Sequence, residues 1–185
     1  MTKERAPERE QSLVGDKSAT TSWETARERL AKPAPQQTSW LATVRPDGRP
    51  HLMPVIAFWI DGALYFVAGE GTRKAQNLAD DERCVIATGS TKLPSMDIVA
   101  EGRAEPLSDD ADVRRIAERL NSNGWQLEAR GVEVFGQNAP TAGPPPYRIF
   151  RMLPSKAFGL PGMTGMDKFD QEDLPKPTRW VFGGG

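Results

Sequence analysis

TSWLATVRPDGRPHLMPVIAFWIDGALYFVA, residues Thr38 to Ala68, is the stretch that decides the fold. Its apolar residues recur with a period of two, the mark of extended chain. Thr38–Arg45 reads as a strand. Pro46-Asp47-Gly48-Arg49-Pro50 reads as a turn, because proline fixes φ and glycine reaches positive φ. His51–Ile60 is the next strand, Asp61-Gly62 a hairpin turn and Ala63–Ala68 the third strand. Connections this short join antiparallel neighbours, so the stretch is a three-strand meander. Its middle strand carries large apolar groups on both faces: Leu52, Ile56, Phe58 and Ile60 on one, Met53, Val55 and Trp59 on the other. Such a strand belongs in a closed or half-closed barrel, or beneath a partner subunit.

Upstream, residues 1 to 20 are polar and charged. They carry too little apolar surface to offset ordering entropy and read as a disordered arm, leaving 21–182 as one domain. Thr21 and Glu24 stand at capping-box spacing, Trp23, Ala26 and Leu30 share one helical face, and Pro33 and Pro35 stop the helix. Downstream, Gly69-Glu70-Gly71 leads into a short helix from Thr72 to about Ala79, and Arg83–Gly89 and Ser95–Pro106 return to strand. Ser108 is the expected cap of an amphipathic helix whose Val113, Ile116, Ala117 and Leu120 fall on one face. Asp109, Asp110 and Asp112 sit in its first turn, where the helix dipole favours anions. Residues 121–146 are rich in Gly, Asn and Pro, with a helical turn expected over Val132–Phe135. Tyr147–Leu153 and Ser155–Leu160 read as closing strands, and Thr178–Phe182 is the last apolar stretch. The order predicts a mainly β fold with peripheral helices, a six-stranded antiparallel barrel.

Composition narrows the function. The chain has 185 residues, with 24 Lys and Arg against 25 Asp and Glu, so no basic field invites nucleic acid or a membrane surface. The lone Cys84 excludes an internal disulfide and a multi-cysteine zinc site, and Cys84 reads as a small buried hydrophobe. The lone His51 excludes His-rich metal clusters. No apolar run approaches the roughly 18 residues of a membrane span, and the charged start lacks a secretory core. A cytoplasmic protein is the expectation.

Two local irregularities point to chemistry. The first is the helix start at Thr72-Arg73-Lys74: cations there oppose the helix dipole, whereas an incoming phosphate would meet free N–H groups, a hydroxyl and two cations. The plainer alternative has both cations in solvent, paired with Glu70 or Asp80. The second is Pro54, which cannot donate a ladder hydrogen bond inside the strongest strand pattern. Either the backbone of Met53-Pro54-Val55-Ile56 faces a planar ring, or the strand has an edge or bulge there. His51 reads as a partly exposed structural residue rather than a general base or haem ligand. Trp180 either packs over a ligand or ties down the tail.

These segments together resemble the pyridoxamine-phosphate-oxidase-like split β-barrel superfamily. The resemblance lies in Trp40 to His51, Val55 to Trp59, Asp61 to Phe66, Gly71 to Leu78, Val99-Ala100-Glu101-Gly102 and Thr178 to Phe182. The closing segment and compact length are similar to the actinobacterial branch assigned to the deazaflavin F420. The resemblance implies a homodimer with flavin or deazaflavin in an interface groove. It assigns the cofactor phosphate to Thr72, Arg73, Lys74 and Asn77, and the ring to Met53, Pro54, Val55 and Ile56, with Trp180 and His51 as candidates against ring or substrate. The substrate-phosphate residues and closing Arg-Leu-x-Pro segment of pyridoxamine-phosphate oxidase itself are missing. An F420-dependent oxidoreductase acting on a small conjugated or unsaturated substrate is the first expectation. An FMN-dependent oxidase or reductase is the second, and a non-catalytic flavin or haem carrier the third. Arg45, Arg49 and Arg179 are candidates to line a groove for the acidic tail of F420.

Overall fold

The computed structural model describes residues 5–15, 18–31, 38–89, 92–136 and 141–183. In chain order the elements are β1 (Arg9–Ser12), α1 (Trp23–Ala31), β2 (Ser39–Val44), β3 (Pro50–Val55), β4 (Phe58–Ile60), β5 (Ala63–Gly69), α2 (Arg73–Asp80), β6 (Arg83–Thr88), β7 (Met96–Pro106), α3 (Asp110–Asn121), β8 (Leu127–Arg130), β9 (Glu133–Gly136), β10 (Tyr147–Pro161), a 3-10 turn at Met166–Lys168, and β11 (Thr178–Val181). The chain is mainly β, and neighbouring strands run antiparallel in the order β1-β11-β10-β7-β6-β2-β3. β5 adds to β10 beside this path, with β4 on β5.

β10 organises the split. One of its edges pairs with β7 from Phe150 to Pro161. The other pairs with β5 over Tyr147–Met152 and then with β11 over Lys156–Gly159. The change of neighbour coincides with a register shift between Pro154 and Lys156, so the two closing strands expected from the sequence are one strand bent at a bulge. Cross-strand partners share a face. Leu41, Ile86, Ala100, Ala157 and Trp180 therefore form one inward row. Trp23 of α1 caps it, edge-on to Trp59, Trp180 and Phe182 at ring separations of 5.1, 5.4 and 4.9 Å. Each such aromatic pair adds about 0.5–1.5 kcal/mol beyond area burial. A second cluster lies where Val113, Ile116 and Leu120 of α3 pack on Tyr65, Val67 and Ile149.

Several expectations change. The N-terminal arm is not wholly unstructured: Arg9–Ser12 pairs with Thr178–Val181. That pairing uses backbone groups, which a polar sequence supplies as well as an apolar one. Thr21 is not the α1 cap; it accepts from Lys176 N at 2.6 Å, and Ser22 caps Thr25 N instead. The strand expected over 51–60 breaks at Ile56 and Ala57 into β3 and β4. β3 ends the sheet path, and an edge tolerates Pro54. α3 is capped by Asp109 rather than Ser108. Val132–Phe135 is not a helical turn: β8 and β9 form a hairpin around Gly131, whose φ of 63° a β-branched residue would resist.

Candidate functional site

β5 ends at Gly69, and a Cβ there would lie 2.9 Å from the Pro144 carbonyl oxygen and 3.0 Å from that of Ala142. Only glycine lets the loop after residue 141 press so closely onto the α2 entrance. Thr72 then caps α2: its hydroxyl donates to Gly69 O at 2.7 Å and accepts from Ala75 N at 3.4 Å.

The two cations after the cap diverge. Arg73 is exposed. Lys74 is buried at 3 % exposure, and its Nζ donates to the Thr141 carbonyl. Burial pushes the Lys74 ammonium below its usual range. Glu70, one of the two partners expected in the solvated alternative beside Asp80, instead meets Arg148 at 3.3 Å. Among the described residues no carboxylate forms an ion pair with Arg45, Arg73 or Lys74. A desolvated cation held by one neutral carbonyl is a strong acceptor of an anion.

Asn77 is fully buried and does not reach the surface of the site. Its Nδ2 donates to Thr43 Oγ1 at 2.9 Å, and its Oδ1 has no partner among the described residues. Thr43 Oγ1 in turn lies 3.4 Å from His51 Nδ1. Burial first, then the charges of Arg45, Lys74 and Arg73, hold the His51 imidazole below its usual pKa. The structure thus brings Thr72, Arg73, Lys74, Asn77 and His51 to one corner, together with Thr43 and Arg45.

The strand proposed for a ring stands beside this corner. A cavity of about 210 Å³ is lined by Pro54, Val55, Ile56, Val67, Trp125 and Thr141 among others. Thr141 joins the two halves, its carbonyl on Lys74 and its residue in the cavity wall. Met53 is partly exposed and outside that wall.

Trp180 is not at the site. It is fully buried against Trp23, and Gly159 makes room for it, since a Cβ there would lie 2.4 Å from the ring. Trp180 ties the C-terminal strand to the core. Of the three arginines considered for an acidic tail, Arg49 pairs with Asp47 at 2.7 Å and Arg179 donates to Gln11 Oε1 at 3.1 Å. Only Arg45 keeps its guanidinium outside any hydrogen bond or ion pair among the described residues. Thr43 and Thr141 were not singled out by sequence; neither has a local signal, because their partners lie 34 and 67 positions away. Among the described residues no group of His, Cys, Asp and Glu could hold a metal ion, and no helix is long and apolar enough to cross a membrane.

A family model described as pyridoxamine 5'-phosphate oxidase matches residues 23–158. No protein of curated function matches the chain. The fold is similar to that of a FAD-binding protein from Mesorhizobium loti, with 18 % identity, 76 % of this chain and 93 % of that one covered, and a TM-score of 0.56. It is similar to an F420 reductase at 18 % identity, covering 71 % of this chain and 94 % of the other with a TM-score of 0.52. A haem-binding protein from Mycobacterium smegmatis shares 17 % identity over 80 % of this chain and 57 % of that one, at a TM-score of 0.54. Identities this low establish a shared fold.

Proposed function

The chain belongs to the pyridoxamine 5'-phosphate oxidase family, and on that premise we propose that it is a cytoplasmic, F420-dependent oxidoreductase acting on a small conjugated or unsaturated substrate. The observation that carries the reading is Lys74, a buried ammonium at the start of α2 with no carboxylate partner among the described residues. The residues would hold a phosphate: Thr72 caps α2 by accepting from Ala75 N, which leaves the backbone N–H groups and the two cations of Arg73 and Lys74 for an anion. Asn77 acts from behind, by orienting Thr43. When bound, the deazaflavin supplies hydride transfer to or from the substrate. Pro54 and Val55 at the end of β3, with Ile56 just beyond it and Trp125 in the same cavity wall, would be the residues to hold its ring.

Arg45 favours F420 over FMN. FMN needs one phosphate clamp, for which the start of α2 would serve, whereas F420 carries further acidic groups that the Arg45 guanidinium would meet. FMN is the second reading and uses the same clamp.

A homodimer completes the proposal. Pro54, Trp40, Ala87, Val99 and Phe158 lie in register across the outer face of the sheet. Trp40 is 45 % and Leu52 57 % exposed on that face. A second copy of the chain would cover this apolar row and deepen the groove beside Ile56.

Titration of the purified protein with F420 and with FMN, followed by absorbance and fluorescence, tests the assignment. F420 should bind more tightly and its reduced form should turn over on a panel of enones, quinones and tetrapyrroles. Tight FMN with no F420 binding would transfer the site to the second reading. Binding without turnover on any substrate, or a preference for haem, would make the chain a carrier.

A further inference from the structure

Asn77 makes an unusual expenditure. It is fully buried, yet among the described residues its Oδ1 has no partner and its Nδ2 serves only Thr43. An unpaired buried acceptor is costly, so the geometry it sets at Thr43 is what it contributes. The Thr43 hydroxyl accepts from Asn77 and retains one proton to give. The acceptor in reach is His51 Nδ1, at a long 3.4 Å. A ring that accepts at Nδ1 carries its own proton on Nε2. Among the described residues nothing takes that Nε2–H.

The ring's electrostatic surroundings are one-sided. Arg45 follows β2, Arg73 and Lys74 open α2, and no carboxylate counts among the groups acting on His51. We propose that His51 is a further ligand of the anion site, a neutral imidazole oriented by Asn77 through Thr43, which donates Nε2–H to the bound anion and takes up one proton from solvent as the anion enters. This rests on the reading that the start of α2 receives the cofactor's phosphate. The three cations oppose an imidazolium. An anion among them cancels that field and welcomes a proton, so the two bind together and anion affinity rises as pH falls.

His51 is the only histidine, so its imidazole resonances need no assignment by mutation. The test is a 15N NMR titration of the full chain between pH 5 and 8, in chloride and in sulfate at equal ionic strength. Sulfate stays a dianion across that range. The free protein should show the Nε2–H tautomer with a midpoint below the unperturbed value of about 6.5. Sulfate should raise the midpoint, each unit meaning about tenfold tighter sulfate binding to the protonated form. Lys74→Met should abolish the sulfate effect, and Thr43→Val should mix the tautomers. His51→Gln keeps a neutral donor and should still bind sulfate, with its pH dependence gone. An Nδ1–H tautomer, or a midpoint indifferent to sulfate, overturns the proposal. Sulfate moving His51 in a protein that binds neither F420 nor FMN would uphold the anion site and remove the cofactor reading. Cofactor binding with His51 unmoved would do the reverse.

Discussion

The molecule contains two helix starts that solve the same electrostatic problem in opposite ways. At α3, Asp109 Oδ1 accepts from Ala111 N and Asp112 N, both at 2.9 Å, and Asp110 and Asp112 complete an acidic first turn. The dipole is answered by the chain itself, and Asp112 goes on to pair with Arg115 at 3.1 Å. At α2 the first turn has no acid, the Thr72 cap is a longer 3.4 Å bond, and Lys74 is buried against the dipole. One helix is complete alone. The other concentrates uncompensated positive charge beside unpaired N–H groups, an arrangement that becomes favourable when an anion arrives.

The largest test of that contrast is Lys74→Met. If Lys74 grips a cofactor phosphate, affinity for F420 or FMN should fall by about 1.5–3 kcal/mol, roughly 10–100-fold. The melting temperature of the unliganded protein should change little, because replacing a desolvated ammonium offsets the loss of its hydrogen bond to the Thr141 carbonyl. Ligand titration and thermal melting of the same sample read both. A lower melting temperature with unchanged affinity would make Lys74 an ordinary structural residue. Next in size is Asp109→Ala, which removes a cap and should cost about 1 kcal/mol of stability. Cofactor affinity should not move, since α3 packs on Tyr65, Val67 and Ile149 rather than on the anion corner. A loss of affinity in Asp109→Ala would mean that the two helix starts are not independent.

What the sequence made legible follows the range of the forces involved. Residues 38–68 were readable because strand period and turn chemistry act over a few positions; Gly48, Asp61 and Gly62 indeed hold φ values of 81°, 49° and 90°. The charge conflict at Thr72-Arg73-Lys74 was likewise local. It named the corner, although not that Lys74 is enclosed while Arg73 stays in solvent. Trp180 was open between ligand and core because the answer sits 21 residues earlier, where Gly159 leaves space for the ring. β1 was missed because a four-residue polar edge strand is selected by the free backbone edge of β11 and carries no pattern of its own. The Asn77–Thr43–His51 relay joins α2 to two strands, and only the register of Thr43 opposite His51 brings it together.

The smallest expected effect is also the most symmetrical. Arg73→Glu and Asp110→Arg each reverse one charge in a first helical turn, on side chains in solvent. If the dipole governs both sites, the unliganded protein should gain about 0.3–1 kcal/mol from Arg73→Glu and lose a similar amount from Asp110→Arg, both shrinking as salt rises. Denaturant unfolding at low and high salt reads the sign. The same Arg73→Glu change should weaken sulfate or cofactor binding, since it puts a like charge beside the guest. A substitution that stabilises the empty protein while weakening its ligand is the signature of a residue kept for binding. Were both reversals destabilising, Arg73 would have a structural partner on α2, and the difference between the two helix starts would lie in packing rather than in charge.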